Sequence, residues 1–265
     1  MKAPVMAGIV ERRLLVNYRT DPDVTACLLP APLRPQLVNG HAVAGICLIR
    51  LGRLRPYPLP ARIGIRTENA AHRIAVEWDV PAGVATGVYI PRRDTGSRGT
   101  ALAGGRLFPG EHHRAHFTVV EDEQTLRVAF RSIDNTGAVR IHVRVSPTWP
   151  GSTLFADLAE ASEFFRQGCA GYSETTNGRH LDGLELRSSS WAIEPVEVAD
   201  LHSTFFEDPA FFPPGTAEFD GALLMRDLPV TWHSLPPMPV RRGPSRARQG
   251  VRGPLASNAG VKRWR

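Results

Sequence analysis

The chain has 265 residues, of which 42% are hydrophobic, which suits one large domain or two small ones with a core that needs no disulfide staples. Its formal net charge of +6 is unevenly placed: eight basic residues and no acid fall in 239–265, leaving 24 basic against 26 acidic residues in 1–238, so the folded part offers little electrostatic support for nucleic-acid binding. Only Lys2 and Lys262 are lysines and the other 30 basic residues are arginine, which excludes a lysine imine from the body of the chain, because arginine stays protonated.

The opening MKAPVMAGIVERR resembles a signal peptide only faintly. Its apolar run is short, Pro4 and Gly8 interrupt it, and Glu11-Arg12-Arg13 follows. No stretch approaches the roughly 20 apolar residues of a membrane helix, and a soluble cytoplasmic protein is expected. Residues 11–19 read as a first strand, and Thr20-Asp21-Pro22 as the start of a short helix that ends before Pro30. Asn39-Gly40 marks a turn, after which HAVAGICLIRLGRLR reads as a long strand buried along its first half. Segments 62–66 and 72–78 suggest a hairpin through Glu68-Asn69, 86–91 another strand, and 97–106 a short helix. Strands follow at 113–120, 124–131 and 138–145, joined by Glu121-Asp122 and Asp134-Asn135-Thr136-Gly137. Residues 153–167 make the clearest helix, with Leu154, Leu158, Ala161 and Phe165 on one face and Gly168 as its stop. Further strands fit 180–187, 190–198 and 217–226. The run Pro236–Pro239 ends a single domain over 1–238, and 239–265 reads as a disordered basic tail. Many strands with two or three short helices predict an α+β fold around an antiparallel sheet or β-barrel.

The densest polar constellation is Tyr89-Ile90-Pro91-Arg92-Arg93-Asp94-Thr95-Gly96-Ser97-Arg98. Three arginines on a loop leading into a helix favour a carboxylate or phosphate, with Asp94 orienting one of them. The plain alternative is a solvated loop with a structural Arg–Asp pair. His112 and His116 of EHHRAH would be about 13 Å apart in a strand, too far for one metal ion. Gly99 and Gly104 lack the Lys-Ser/Thr of a phosphate loop, GYSETTNG lacks a hydrolase elbow, and Cys169 follows a helix rather than starting one. Cys27, Cys47 and Cys169 form no CxxC pair, and an odd number argues for a reducing compartment. No metal and no cofactor are expected.

The string GVYIPRRDTGSRGTALAGGRLFP resembles the signature segment of the YqjF-like bacterial family, which is grouped with the acetoacetate decarboxylase superfamily. LLVNYRTDPDVTACLLPAPLRPQLVNGHAVAGICLIRL and TENAAHRIAVEWD are similar to other parts of that family, so the likeness spans residues 10–238. It implies a cone-like antiparallel β-barrel with flanking helices and a cavity lined by arginine and carboxylate groups. The decarboxylases work through a lysine Schiff base beside a second lysine, and neither can exist between Lys2 and Lys262. Glutamates and an arginine serve their pocket, which makes Glu68 and Glu77 the candidate counterparts here. A surface salt bridge with Arg66 or Arg73 is the alternative for those glutamates.

The expected function is binding of a small organic anion, a keto acid or other carboxylate, by Arg92, Arg93 and Arg98, with Asp94 fixing an arginine. Glu68 or Glu77 would act as general base in lysine-independent lyase-like or isomerase-like chemistry. The alternatives are a non-catalytic ligand-binding or sensing module and a factor that associates with nucleic acid through its tail. No membrane partner is expected, and the oligomeric state is not written in the sequence.

Overall fold

A computed structural model describes residues 4–99 and 108–240. Most of the expected helix at 97–106 and nearly all of the expected tail lie outside the described residues. In chain order the elements are β1 (Met6–Thr20), α1 (Pro22–Cys27), β2 (Arg34–Pro35), β3 (Leu37–Val38), β4 (His41–Pro56), β5 (Ile65–Val80), β6 (Gly83–Thr95), β7 (His112–Glu121), β8 (Thr125–Ser132), β9 (Ala138–Val145), α2 (Leu158–Gln167), β10 (Ala170–Glu174), β11 (His180–Ser188), β12 (Glu194–Ser203), α3 (Thr204–Glu207) and β13 (Ala217–Pro239). The protein is thus mostly strand with three short α-helices among the described residues. None of those helices is long and apolar enough to cross a membrane.

The strand pairings return on themselves twice. One ring runs β13, β1, β4, β5, β6, β10 and β11, and β11 pairs back to β13. The other leaves β6 through β7, β8, β9 and β12 and rejoins β13. Two of these pairings, β6 with β7 and β6 with β10, are parallel, so the sheet is not wholly antiparallel as expected. Strands β13, β1, β4, β5 and β6 belong to both rings, and each presents one face to each. Successive side chains point to opposite faces, so Leu14, Val16, Ala44, Ile46, Leu48, Ile74 and Leu224 pack in one core while Leu15, Val43, Cys47, Ala71, Ala75 and Leu223 pack in another. Burial on both faces explains the nearly unbroken apolar run of β4.

Aromatic clusters close the two cores. Phe155, Phe164 and Phe165, around α2, meet one another in tilted and edge-to-face contacts on the first ring. Phe205 and Phe206 of α3, with Phe211 and Phe212, make stacked and edge-to-face contacts on the second. Helix α2 begins later than the sequence suggests, because Asp157 caps it: its carboxylate accepts from Glu160 N at 2.8 Å, and Glu160 reaches back to Ala156 N at 2.7 Å. Asp21 likewise caps α1 by accepting from Asp23 N and Val24 N, both at 2.9 Å.

Two expectations fail. Glu68-Asn69 is not a turn but lies mid-strand in β5, and Arg92, Arg93 and Asp94 are not on a loop but on β6. In both places partners distant in sequence or on the same strand face satisfy the polar groups, as Asp94 and Thr136 do for Arg92. Glu68 accepts from Arg12 Nη2 at 2.5 Å and Arg50 Nε at 2.6 Å, and Asn69 accepts from Thr95 Oγ1 at 2.8 Å. Pro91 sits where the β5–β6 register slips, with Ile90 and Pro91 opposite Arg73, a bulge that tolerates its missing N–H.

Candidate functional site

That bulge decides which arginine faces which core. Tyr89 belongs to the second ring's core, and simple alternation would send Arg93 the same way. The extra residue reverses the phase, so Arg92 and Asp94 turn toward the second ring while Arg93 turns into the first. Arg92 is fully committed there. Its Nε and Nη2 both donate to the Asp94 carboxylate at 2.8 Å, and Nη1 donates to Thr136 Oγ1 at 2.8 Å. Burial pushes the Asp94 carboxyl up, against the opposing pull of Arg92.

The first ring encloses a cavity of about 140 Å³, comparable to one that holds a benzene-sized molecule. Apolar side chains make up much of its wall: Val10, Leu51, Leu54, Phe108, Leu184 and Trp232, the last two rings meeting edge to face with Phe108 5.6 Å from Trp232. Four polar groups of the wall come from four neighbouring strands: Arg13 on β1, Cys47 on β4, Arg73 on β5 and Arg93 on β6. Cys47 pairs across to Ala71, Ala71 to Arg93 and Arg93 to His112, so these residues share one row around the ring. Arg13 enters one inward position toward the Val10 end of that row, opposite Ile49, and Arg73 one position to the other side, opposite Gly45. Gly45 makes room: a Cβ there would lie 2.3 Å from Val16 O and 3.3 Å from Arg73 Nη2.

No ion pair reaches Arg13, Arg73 or Arg93 among the described residues. Arg93 Nε donates to Pro109 O at 2.8 Å, Arg73 Nη2 donates to Asn17 Oδ1, and Arg13 Nη2 lies 3.7 Å from Cys47 Sγ. The Nε atoms of Arg13 and Arg73 are buried without a partner. Arg73 also stacks over Phe165, 4.7 Å from the ring centre. Among the described residues Asp94 is the one acid that borders the cavity, and its carboxylate turns away to the second ring, where Arg92 holds it. Burial pulls Arg73 below its ordinary value and takes Arg93 down to about 10. Burial and then Arg93 lower His112 to about 4. It is neutral at pH 7, and its Nδ1 donates to Gly110 O at 3.1 Å, leaving Nε2 as an acceptor. Burial pushes the Cys47 thiol up, but the charges of Arg13 and Arg73 outweigh it and leave it below its ordinary value.

Of the residues singled out in the sequence, Arg93 and Asp94 line the cavity. Arg92 faces the other core, and Arg98 is exposed just beyond β6. Glu68 lies on the opposite face of the shared sheet, in a network with Arg12, Arg50 and Glu121. Glu77 pairs with Arg34 at 2.7 Å near the surface. Neither glutamate lines the cavity. His113 pairs with Asp134 at 2.6 Å, away from His112. Sequence reasoning passed over Arg13, Arg73 and Cys47. The signal for the arginines is a charge inside a run buried on both faces, ERRLLV and AAHRIAV, which needs either a buried carboxylate, as Arg12 finds in Glu68 and Glu121, or a cavity to receive it.

A family model described as an uncharacterized conserved protein (COG2071), DUF2071, matches residues 10–220. None of the curated proteins matches the chain. Among solved structures, an acetoacetate decarboxylase-like enzyme from Sphingomonas wittichii RW1 superposes with a TM-score of 0.56 at 14% identity, covering 91% of this chain and 94% of that one. Acetoacetate decarboxylase from Legionella pneumophila gives 0.52 at 14% identity, covering 91% and 88%. The enduracididine biosynthesis enzyme MppR complexed with pyruvate gives 0.53 at 13% identity, covering 88% and 89%. At these identities the likeness establishes a shared fold.

Proposed function

The chain belongs to the DUF2071 family and has an acetoacetate decarboxylase-like fold, and on that premise we propose that it binds a small organic acid inside the first strand ring, read here as a β-barrel. The carboxylate sits among Arg13, Arg73 and Arg93, and a short apolar body packs against Leu51, Leu54, Phe108 and Trp232. The observation that carries this reading is three guanidinium groups on one cavity wall with no carboxylate answering them among the described residues. Buried charges are ordinarily paired, so the missing partner is the ligand's. Size supports an acid of six to ten heavy atoms, such as a short-chain 2-oxo acid. Pyruvate in the structure of MppR is a ligand of the same class.

Chemistry at such a site is lysine-independent. The arginines stabilise negative charge that develops on an enolate oxygen, in a lyase-like or isomerase-like step. Glu68 and Glu77 take no part, because they lie off the cavity. The second reading, a non-catalytic binding or sensing module, is favoured by one observation: among the described residues the only acid bordering the cavity is Asp94, whose carboxylate faces the second ring with both oxygens on Arg92, poorly placed to take a proton.

Thermal shift of the full chain against paired acids and methyl esters tests the reading. An acid at a hundred times its dissociation constant adds about 2.7 kcal/mol, a rise of roughly 5–10 °C for a domain of this size. The ester gives no rise, and Arg93→Gln removes the acid's. No shift with any acid would end the proposal.

A further inference from the structure

Cys47 is a cavity group that the anion reading leaves without a task. It is 4% exposed, lines the cavity, and lies between Arg13 and Arg73 on the strand that separates theirs. Arg13 Nη2 is 3.7 Å from its sulfur. A buried thiol usually serves as a small apolar filler, but this one sits between the guanidinium groups of Arg13 and Arg73, and thiolates form where cations face the sulfur. A second observation points to a ligand at the same place. Arg73 is 3% exposed and lines the cavity, and its Nε bonds to no group among the described residues. Cys169 offers a comparison. It lines the same cavity, but its thiol donates to Arg166 O at 2.8 Å, and burial raises it above the ordinary thiol value.

We propose that Cys47 is a nucleophile that bonds covalently to the bound acid, whose chemical class is a carboxylic acid with an electrophilic carbon beside the carboxylate, as in a 2-oxo acid. This rests on the anion-binding reading above and adds a bond to it. The thiol proton leaves to solvent. The sulfur pair then forms a C–S bond to the keto carbon as the C=O π bond breaks, and its electrons move to oxygen beside a guanidinium. The oxygen takes a proton from solvent, giving a hemithioketal. Thiol plus ketone becomes adduct with nothing oxidised or reduced, and the addition reverses along the same path. The sulfur thus supplies the covalent hold for which the body of this chain has no lysine.

The test alkylates the full chain with iodoacetate and, separately, with iodoacetamide, and follows Cys27, Cys47 and Cys169 by peptide mass spectrometry. Each reagent forms a C–S bond and releases iodide, but only iodoacetate carries the carboxylate. Exposed Cys27 sets the intrinsic ratio of the two rates. Relative to it, Cys47 prefers iodoacetate by about tenfold or more, because a cavity of one charge sign concentrates the opposite ion. Arg13→Gln reduces that preference, and Cys169 shows little labelling although the same cavity admits the reagent. A 2-oxo acid slows labelling of Cys47 and not of Cys27. If Cys47 stays unlabelled while Cys27 reacts, or shows the reagent ratio of Cys27, the proposal is overturned. Thermal shift on the wild type and Cys47→Ser then separates the two readings: a shift by acids in both proteins leaves the anion site standing without its nucleophile, and no shift in either removes both.

Discussion

Replacing Arg73 by methionine should make the protein slightly more stable and markedly worse at holding an acid. Arg73 is 3% exposed and no carboxylate faces it among the described residues. A guanidinium buried without a counter-ion costs several kcal/mol even after relaxation. Two contacts offset part of that. Asn17 Oδ1 loses its donor, which costs about 1–3 kcal/mol. The stacking over Phe165, 4.7 Å to the ring centre, is lost as well, at about 0.5–2 kcal/mol. Methionine keeps most of the apolar stem and fills the space. The difference is a gain of about 1 kcal/mol, or roughly 2–4 °C in Tm, measured by calorimetry without ligand. Binding moves the other way, because a charged hydrogen bond is worth about 1.5–3 kcal/mol, so affinity for the acid falls roughly 10- to 150-fold. A drop in Tm of more than about 5 °C, with acid affinity unchanged, would show that Arg73 is a structural residue and that the cavity's charge has another purpose.

Three more outcomes follow from the geometry. Burial, then Arg92 and His113, lower His72 to about 3, and His112 is lowered to about 4. The unfolded chain protonates both near pH 6.5, so it binds more protons than the native state below that pH. Stability is therefore full above about 6.5 and falls as pH drops toward 4, by about 1.4 kcal/mol per pH unit for each histidine. His72→Leu should halve that slope in urea titrations at pH 5–6, and an unchanged slope would contradict the assignment. Glu68→Ala strips Arg12, 3% exposed, of one of its two carboxylates and should cost about 3 kcal/mol in denaturant midpoint terms. It should leave acid affinity unaltered, whereas a selective loss of binding or turnover would return Glu68 to the site. Gly45→Ala places a methyl 2.3 Å from Val16 O, so it should destabilise by about 1–3 kcal/mol and weaken acid binding through the displaced Arg73, visible as a lower Tm and a smaller ligand-induced shift.

Much of the strand order can be read in the sequence because its signals are local. Asn39-Gly40 turns with φ of 49° and 80° as its residue types demand, and Asp21-Pro22 opens a helix. The apolar run of β4 announces burial on both faces. What misleads is polar character satisfied from a distance. Glu68-Asn69 looks like a turn until Arg12 and Arg50, from strands β1 and β4, are placed against it. Arg92-Arg93-Asp94 looks like a loop, although Arg92 and Asp94 stand two apart on one strand face and bind each other. The cavity was hidden for the same reason. Arg13, Cys47, Arg73 and Arg93 come from four strands and meet only through the β1–β4–β5–β6 register and a bulge at Pro91. A one-residue slip at that bulge exchanges Arg92 for Arg93 in the lining, and local composition does not record it.

Isothermal titration of the full chain with a six-carbon 2-oxo acid and with its methyl ester tests the proposed binding of an anion by Arg13, Arg73 and Arg93 in the first ring. Saturable one-to-one binding of the acid that weakens with added salt is expected. Affinity for the ester should be at least about 100-fold lower, with no measurable binding of the acid to an Arg13→Gln, Arg73→Met, Arg93→Gln triple variant. Equal affinity for acid and ester, or undiminished binding to the triple variant, would contradict the proposal.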